Sequence, residues 1–161
     1  MSNDQTLHLT VSRHIAAPPD AVYDLISDVT AIGRYSPETT GARWLGDDTA
    51  ARVGARFAGR NAIGRMRWTT KPVVTVAEPG RRFAFRVPSG ALSTWTYDLQ
   101  ASGEGTTVTE SVRTERAQPM IIRVLMRMAG VTDRAAVLHT GMSATLDRLA
   151  VAAVHPAPAT R

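Results

Sequence analysis

Glu110 is the residue in this chain best placed to do chemistry. In the run Thr106-Thr107-Val108-Thr109-Glu110-Ser111-Val112 it shares parity with Val108 and Val112, so a strand here turns its carboxylate toward an apolar face. In such surroundings a carboxyl pKa rises unless an Arg or a hydrogen-bond donor holds the charge. A group of that kind works as a general acid or base on an enolisable ligand. Two quieter roles fit the same position: a polar anchor for a bound molecule, or an ion pair with one of the many arginines. Tyr97 and His139 are the candidate partners in proton transfer. His139 follows Leu138 at the margin of an apolar helical stripe, where it also fits a solvent-facing flank. Asn61 lies on the Phe57 side of its strand, able to donate to a ligand carbonyl or to satisfy turn backbone at the strand end.

Around these polar groups stand large apolar side chains on segments of strand character. Met66 and Trp68 share one face, Trp95, Tyr97 and Leu99 another, and Phe83, Phe85 and Val87 a third. Aromatics and methionines offer much apolar area with few polar demands, which suits an adaptable pocket wall and an ordinary core alike. The candidate ligand-contacting set is therefore Phe57, Asn61, Met66, Trp68, Phe83, Phe85, Trp95, Tyr97, Glu110 and Met142.

Other chemistries find no residues to carry them. The chain has Cys 0, which removes disulfides, thiolate metal sites and cysteine nucleophiles. His8, His14, His139 and His155 lack ligand spacing, so no metal is expected. There is no G-x-S-x-G, no phosphate-binding glycine loop and no dinucleotide fingerprint, so no cofactor is expected either.

The elements that must position these residues follow from periodicity. Alternation over residues 7–15 predicts a strand with Leu7, Leu9, Val11 and Ile15 inward. Ala17-Pro18-Pro19-Asp20 opens a helix over about 20–29, and a short helix through Ile32 stops before Ser36-Pro37. Period-two segments then run over 42–45, 55–61, 66–77, 82–87, 93–101 and 106–115, separated by Gly- and Pro-bearing turns. Pro72 inside the 66–77 segment calls for a bulge or an edge. Pro119 opens a long helical stretch that breaks at Gly130, a candidate hinge, and runs on to Val154. Thr132 is the expected N-cap of its second part, whose stripe is Ala135, Leu138, Met142, Leu146, Leu149 and Ala153.

Length and composition bound the whole. At 161 residues, with 43% hydrophobic and 20% charged residues, one globular domain over 1–154 is expected, followed by a disordered tail over 155–161. No secretory leader or membrane-length apolar run stands out, so a cytoplasmic protein is expected. The net charge of +5 comes almost wholly from arginine, Lys71 being the exception. The arginines follow strand alternation rather than clustering among aromatics, so nucleic acid is not an expected partner. The apolar segment 119–129, PMIIRVLMRMA, leaves both a monomer and a homodimer open, and is also a candidate docking element for a protein or a membrane.

The ordered pieces carry a resemblance. They are the run IAAPPDAVYDLISDV over 15–29, Tyr35-Ser36-Pro37-Glu38, Gly54-Ala55-Arg56-Phe57, Asn61, Trp68, VTVAEPG over 74–80, Phe83-Ala84-Phe85, Trp95-Thr96-Tyr97-Asp98-Leu99 and GTTVTE over 105–110. Together they resemble the START-like, Bet v 1-like superfamily (SRPBCC), which includes the polyketide cyclase/dehydrase and lipid transport proteins. The resemblance implies an α+β helix-grip fold: a curved antiparallel sheet of about seven strands around a long C-terminal helix, with two short helices after the first strand. It also implies a cavity for a hydrophobic or amphipathic small molecule such as a lipid or polyketide. Sequestration or transport of that ligand is the leading expectation. The alternative is a cyclase- or dehydratase-like enzyme, of lyase or isomerase type, using Glu110 as general acid/base.

Overall fold

The computed structural model describes residues 6–156. β1 (His8–Ile15) is the first element among the described residues and buries Val11 and Ile15, as the alternation predicts. α1 (Pro19–Ser27) follows, with Pro19 in its first turn, where a missing N–H costs nothing, and Asp20 favourably placed at the positive end of the helix dipole. Asp28 ends it and caps a 3-10 turn over Val29–Arg34, its carboxylate accepting the Thr30 N–H at 3.1 Å. The second expected short helix is thus this 3-10 turn.

Strands β2 (Thr39–Trp44), β3 (Phe57–Ile63), β4 (Met66–Thr70), β5 (Val73–Glu78), β6 (Arg82–Val87), β7 (Ser93–Ser102) and β8 (Gly105–Thr114) come next. The single strand expected over 66–77 is two. Pro72 has no N–H for a ladder, and the chain bends there, so β4 pairs with β3 while β5 pairs with β6. The result is a five-stranded antiparallel sheet of order β1-β8-β7-β6-β5 and a three-stranded one of order β2-β3-β4. They are joined along a short seam, where Phe57 N–H donates to Pro72 O at 3.2 Å and Val74 N–H to Ala55 O at 2.8 Å.

α2 (Met120–Met128) and α3 (Arg134–Val154) complete the fold. Gly130, with φ of +86°, closes α2: its N–H donates to Arg127 O at 3.0 Å, and Val131 N–H reaches back to Met126 O at 2.9 Å. This is the Schellman arrangement, and its apolar contact pairs the buried Val131 and Met126. The candidate hinge therefore serves as a helix stop that needs a left-handed residue. The cap of α3 is Asp133 rather than Thr132, its carboxylate accepting the Ala136 N–H at 3.0 Å. α3 buries Leu138, Met142, Thr145, Leu146 and Leu149. Its second half fills a core with Ile15, Val22, Val108 and Val112, while its first half faces open space. The architecture is the helix-grip fold. Helix α3 ends at Val154, and most of the tail expected to be disordered, from residue 157 on, lies outside the described residues.

Candidate functional site

The concave side of the five-stranded sheet, the β2–β4 sheet, the 3-10 turn, α2 and the first half of α3 enclose a cavity of about 1360 Å³. Every residue of the candidate ligand-contacting set lines it: Phe57, Asn61, Met66, Trp68, Phe83, Phe85, Trp95, Tyr97, Glu110 and Met142. Its floor is a run of touching rings. Phe57 meets Phe85 edge-on at 5.3 Å between centroids, Phe85 meets Phe83 at 5.8 Å, and Trp95 stacks on Phe85 at 6.4 Å. Such rings present large rigid faces with little polar demand.

One carboxyl stands in that apolar floor. Glu110 is directly opposite Tyr97 in the β7–β8 ladder, and both are buried. The tight turn at Gly103-Glu104 sets this register. Gly103 takes φ of +58° at the first central position, the pattern type II′ hairpins use, and counting back from the Ser102–Gly105 pair brings Tyr97 onto Glu110. The Tyr97 hydroxyl donates to Glu110 Oε1 at 2.9 Å. Glu110 Oε2 is buried without a hydrogen-bond partner among the described residues. No arginine pairs with it there, so the ion-pair reading of Glu110 is set aside.

The electrostatics follow from that isolation. Burial pushes the Glu110 pKa up to about 8, only partly offset by the hydrogen bond from Tyr97. Burial and the neighbouring carboxyl hold the Tyr97 phenol well above its usual range. At neutral pH the pair is thus a protonated carboxyl and a neutral phenol. Oε2, the oxygen without a partner among the described residues, is the one free to carry the carboxyl proton.

Two sequence candidates stand differently. His139, at the edge of the α3 stripe, is exposed and does not line the cavity. Asn61 lines the cavity with its polar atoms already engaged. Its amide donates to Gly59 O at 3.2 Å and to Thr70 Oγ1 at 3.3 Å, and its Oδ1 accepts from Thr39 Oγ1 at 2.9 Å. It ties the three strands of its sheet together.

The structure also brings in groups that alternation and spacing did not single out. Arg134, at the start of α3, makes a two-pronged ion pair with Glu38, both contacts at 2.6 Å, and both residues line the cavity. Their separation of 96 residues leaves no local pattern to find. Gln118, in the loop before α2, also lines the cavity and holds a second buried oxygen, Oε1, without a hydrogen-bond partner among the described residues. Loop residues carry no period, so their direction is set only by the fold.

Similar proteins agree with this architecture. Ginseng major latex-like protein 151 from Panax ginseng superposes with a TM-score of 0.69 at 15% identity, over 95% of this chain and 99% of that one. The protein TTHA0849 from Thermus thermophilus superposes with a TM-score of 0.65 at 23% identity, over 94% of this chain and 100% of that one. The Polyketide_cyc-like protein Cgl2372 from Corynebacterium glutamicum is 31% identical, over 95% of this chain and 91% of that one, with a TM-score of 0.53. Among curated proteins none matches the chain significantly in sequence. The family model for polyketide cyclase / dehydrase and lipid transport matches residues 6–153. The fold is a hydrophobic-ligand-binding one, and the chain belongs to the polyketide cyclase/dehydrase and lipid transport family within the START-like, Bet v 1-like superfamily.

Proposed function

We propose that the protein binds and carries a hydrophobic or amphipathic small molecule, such as a lipid or a polyketide, in the cavity between its sheets and α3. The observation that carries this reading is the cavity itself: about 1360 Å³ with an aromatic floor and one buried carboxyl. That volume exceeds the roughly 300–1,000 Å³ of ordinary small-molecule sites, so a long-chain or polycyclic ligand fits it. Binding energy would come mainly from apolar burial at about 25 cal/mol per Å². Glu110, protonated at neutral pH, would orient the ligand by donating to a carbonyl or hydroxyl oxygen, and Gln118 Oε1 would accept from a ligand donor.

Native mass spectrometry of the purified protein, repeated after organic extraction, tests the proposal. A mass excess removed by extraction is expected, and its fragments would name the ligand class. A clean apo mass, with no binding of fatty acids or aromatic polyketides up to millimolar concentration, would overturn the carrier reading.

A second reading has its own support in the Glu110 pKa of about 8, near the value at which a general acid or base works best in neutral solution. On an enolisable carbonyl held against the floor, Glu110 would transfer the proton and Tyr97 would hold its carboxyl in place. His139 takes no part, being exposed outside the cavity. Wild-type turnover by Glu110→Gln on any converted substrate would remove this mechanism.

A further inference from the structure

We propose that α2 docks the protein onto anionic lipid bilayers, lying in the interface with its apolar face down. The helix turns only Met126 fully inward and Ile122 partly so. On the opposite side Met120 is 77% exposed, Ile121 66%, Val124 47%, Leu125 45% and Met128 80%. At 100° per residue these side chains fall on one continuous arc of the helix, and Arg127 and Arg123 border it along one edge. An exposed apolar stripe with a basic edge on a short helix is the pattern of an interfacial element. The helix spans nine residues, so it lies on a membrane rather than crossing it.

Charge selects the partner. Residues 116–132 contain no acidic side chain. Neighbouring carboxylates are already engaged: Glu115 pairs with Arg86 at 3.0 Å, Glu38 with Arg134 at 2.6 Å, and Asp133 caps α3. Arg123 and Arg127 make no ion pair among the described residues, nor does Arg65, whose strand turn lies beside the end of α2. Three guanidiniums thus border an apolar face with no carboxylate paired to them among the described residues, which complements lipid phosphates and carboxylates.

A second copy of the chain is the competing occupant, and the same charges disfavour it. A two-fold contact through α2 would set Arg123 and Arg127 against their own copies with no carboxylate in the segment to pair them. A nine-residue helix also offers much less than the roughly 800 Å² per partner that a stable interface needs. Exposed residues that also line the cavity, Arg65, Arg123, Leu125, Arg127 and Met128, stand at its rim, so docking by α2 would bring that rim to the bilayer.

The test is flotation of the full chain with vesicles of phosphatidylcholine containing 30% phosphatidylserine, against pure phosphatidylcholine, at 50 and 300 mM NaCl. Binding to the anionic vesicles that weakens with salt is expected. Arg123→Gln and Arg127→Gln should each weaken it about fivefold, and the two together about 25-fold. Ile121→Ser with Met128→Ser should abolish binding at both salts while leaving the melting temperature unchanged, since both side chains are exposed. Arg43→Gln with Arg81→Gln, a charge-matched change off α2, should reduce binding far less. Failure of the wild type to float, or equal losses from the two arginine pairs, would overturn the proposal. So would concentration-dependent dimerisation that Ile121→Ser with Met128→Ser abolishes in a protein that does not float.

Discussion

Glu110 keeps its proton up to about pH 8 because burial penalises its carboxylate more than the Tyr97 hydroxyl supports it. In the unfolded chain the same group releases its proton near 4.5. Between those values the folded state holds more protons than the unfolded one, so stability falls as pH rises from about 4.5 to 8 and levels off above. The slope is at most roughly 1.4 kcal/mol per pH unit. Glu110→Gln should flatten it, making the variant more stable than wild type at pH 9 relative to pH 5, as urea denaturation at the two pH values would read. Tyr97→Phe should move the midpoint the other way, to still higher pH. It removes the hydrogen bond that lowers the Glu110 pKa, and costs about 1–3 kcal/mol by orphaning Oε1. Much of this pair was legible in the sequence, since parity alone turned Glu110 inward. That no arginine reaches it was not legible, because with arginines along the whole chain only the fold decides which ones come near.

At the level of elements, periodicity located the strands and helices, and single residues decided the details it missed. The 66–77 run alternates as one strand, yet Pro72 withholds an N–H and divides it between two sheets. Gly130 marked a break in the helical stretch, and its left-handed φ makes that break a Schellman stop. Thr132 and Asp133 are both good capping residues, and composition could not choose between them. In the structure only Asp133 receives the Ala136 N–H. Asp133→Ala should therefore cost about 1 kcal/mol in thermal or urea unfolding, with Thr132→Ala close to neutral. Equal costs would mean that the cap is shared. The Glu38–Arg134 pair had no such local sign, because the two residues meet only after the β strands have brought the start of α3 back beside β2.

Over the whole molecule, the cavity exists because two sheets diverge from one seam while α3 closes only half the space between them. The family and the helix-grip fold were readable from ordered fragments spread along the chain, each weak and together specific. The cavity's volume was not, since it depends on how far apart the sheets lean. The seam also leaves a practical handle. The chain's one lysine, Lys71, is exposed at the bend beside the buried Pro72. An amine-reactive, polarity-sensitive fluorophore coupled there, with the α-amine blocked, would report from the line about which the smaller sheet meets the larger. If ligands of different girth are admitted by a change in that lean, the dye's emission should shift with ligand size. Identical emission for slim and bulky ligands would mean a rigid seam and a vessel of fixed bore.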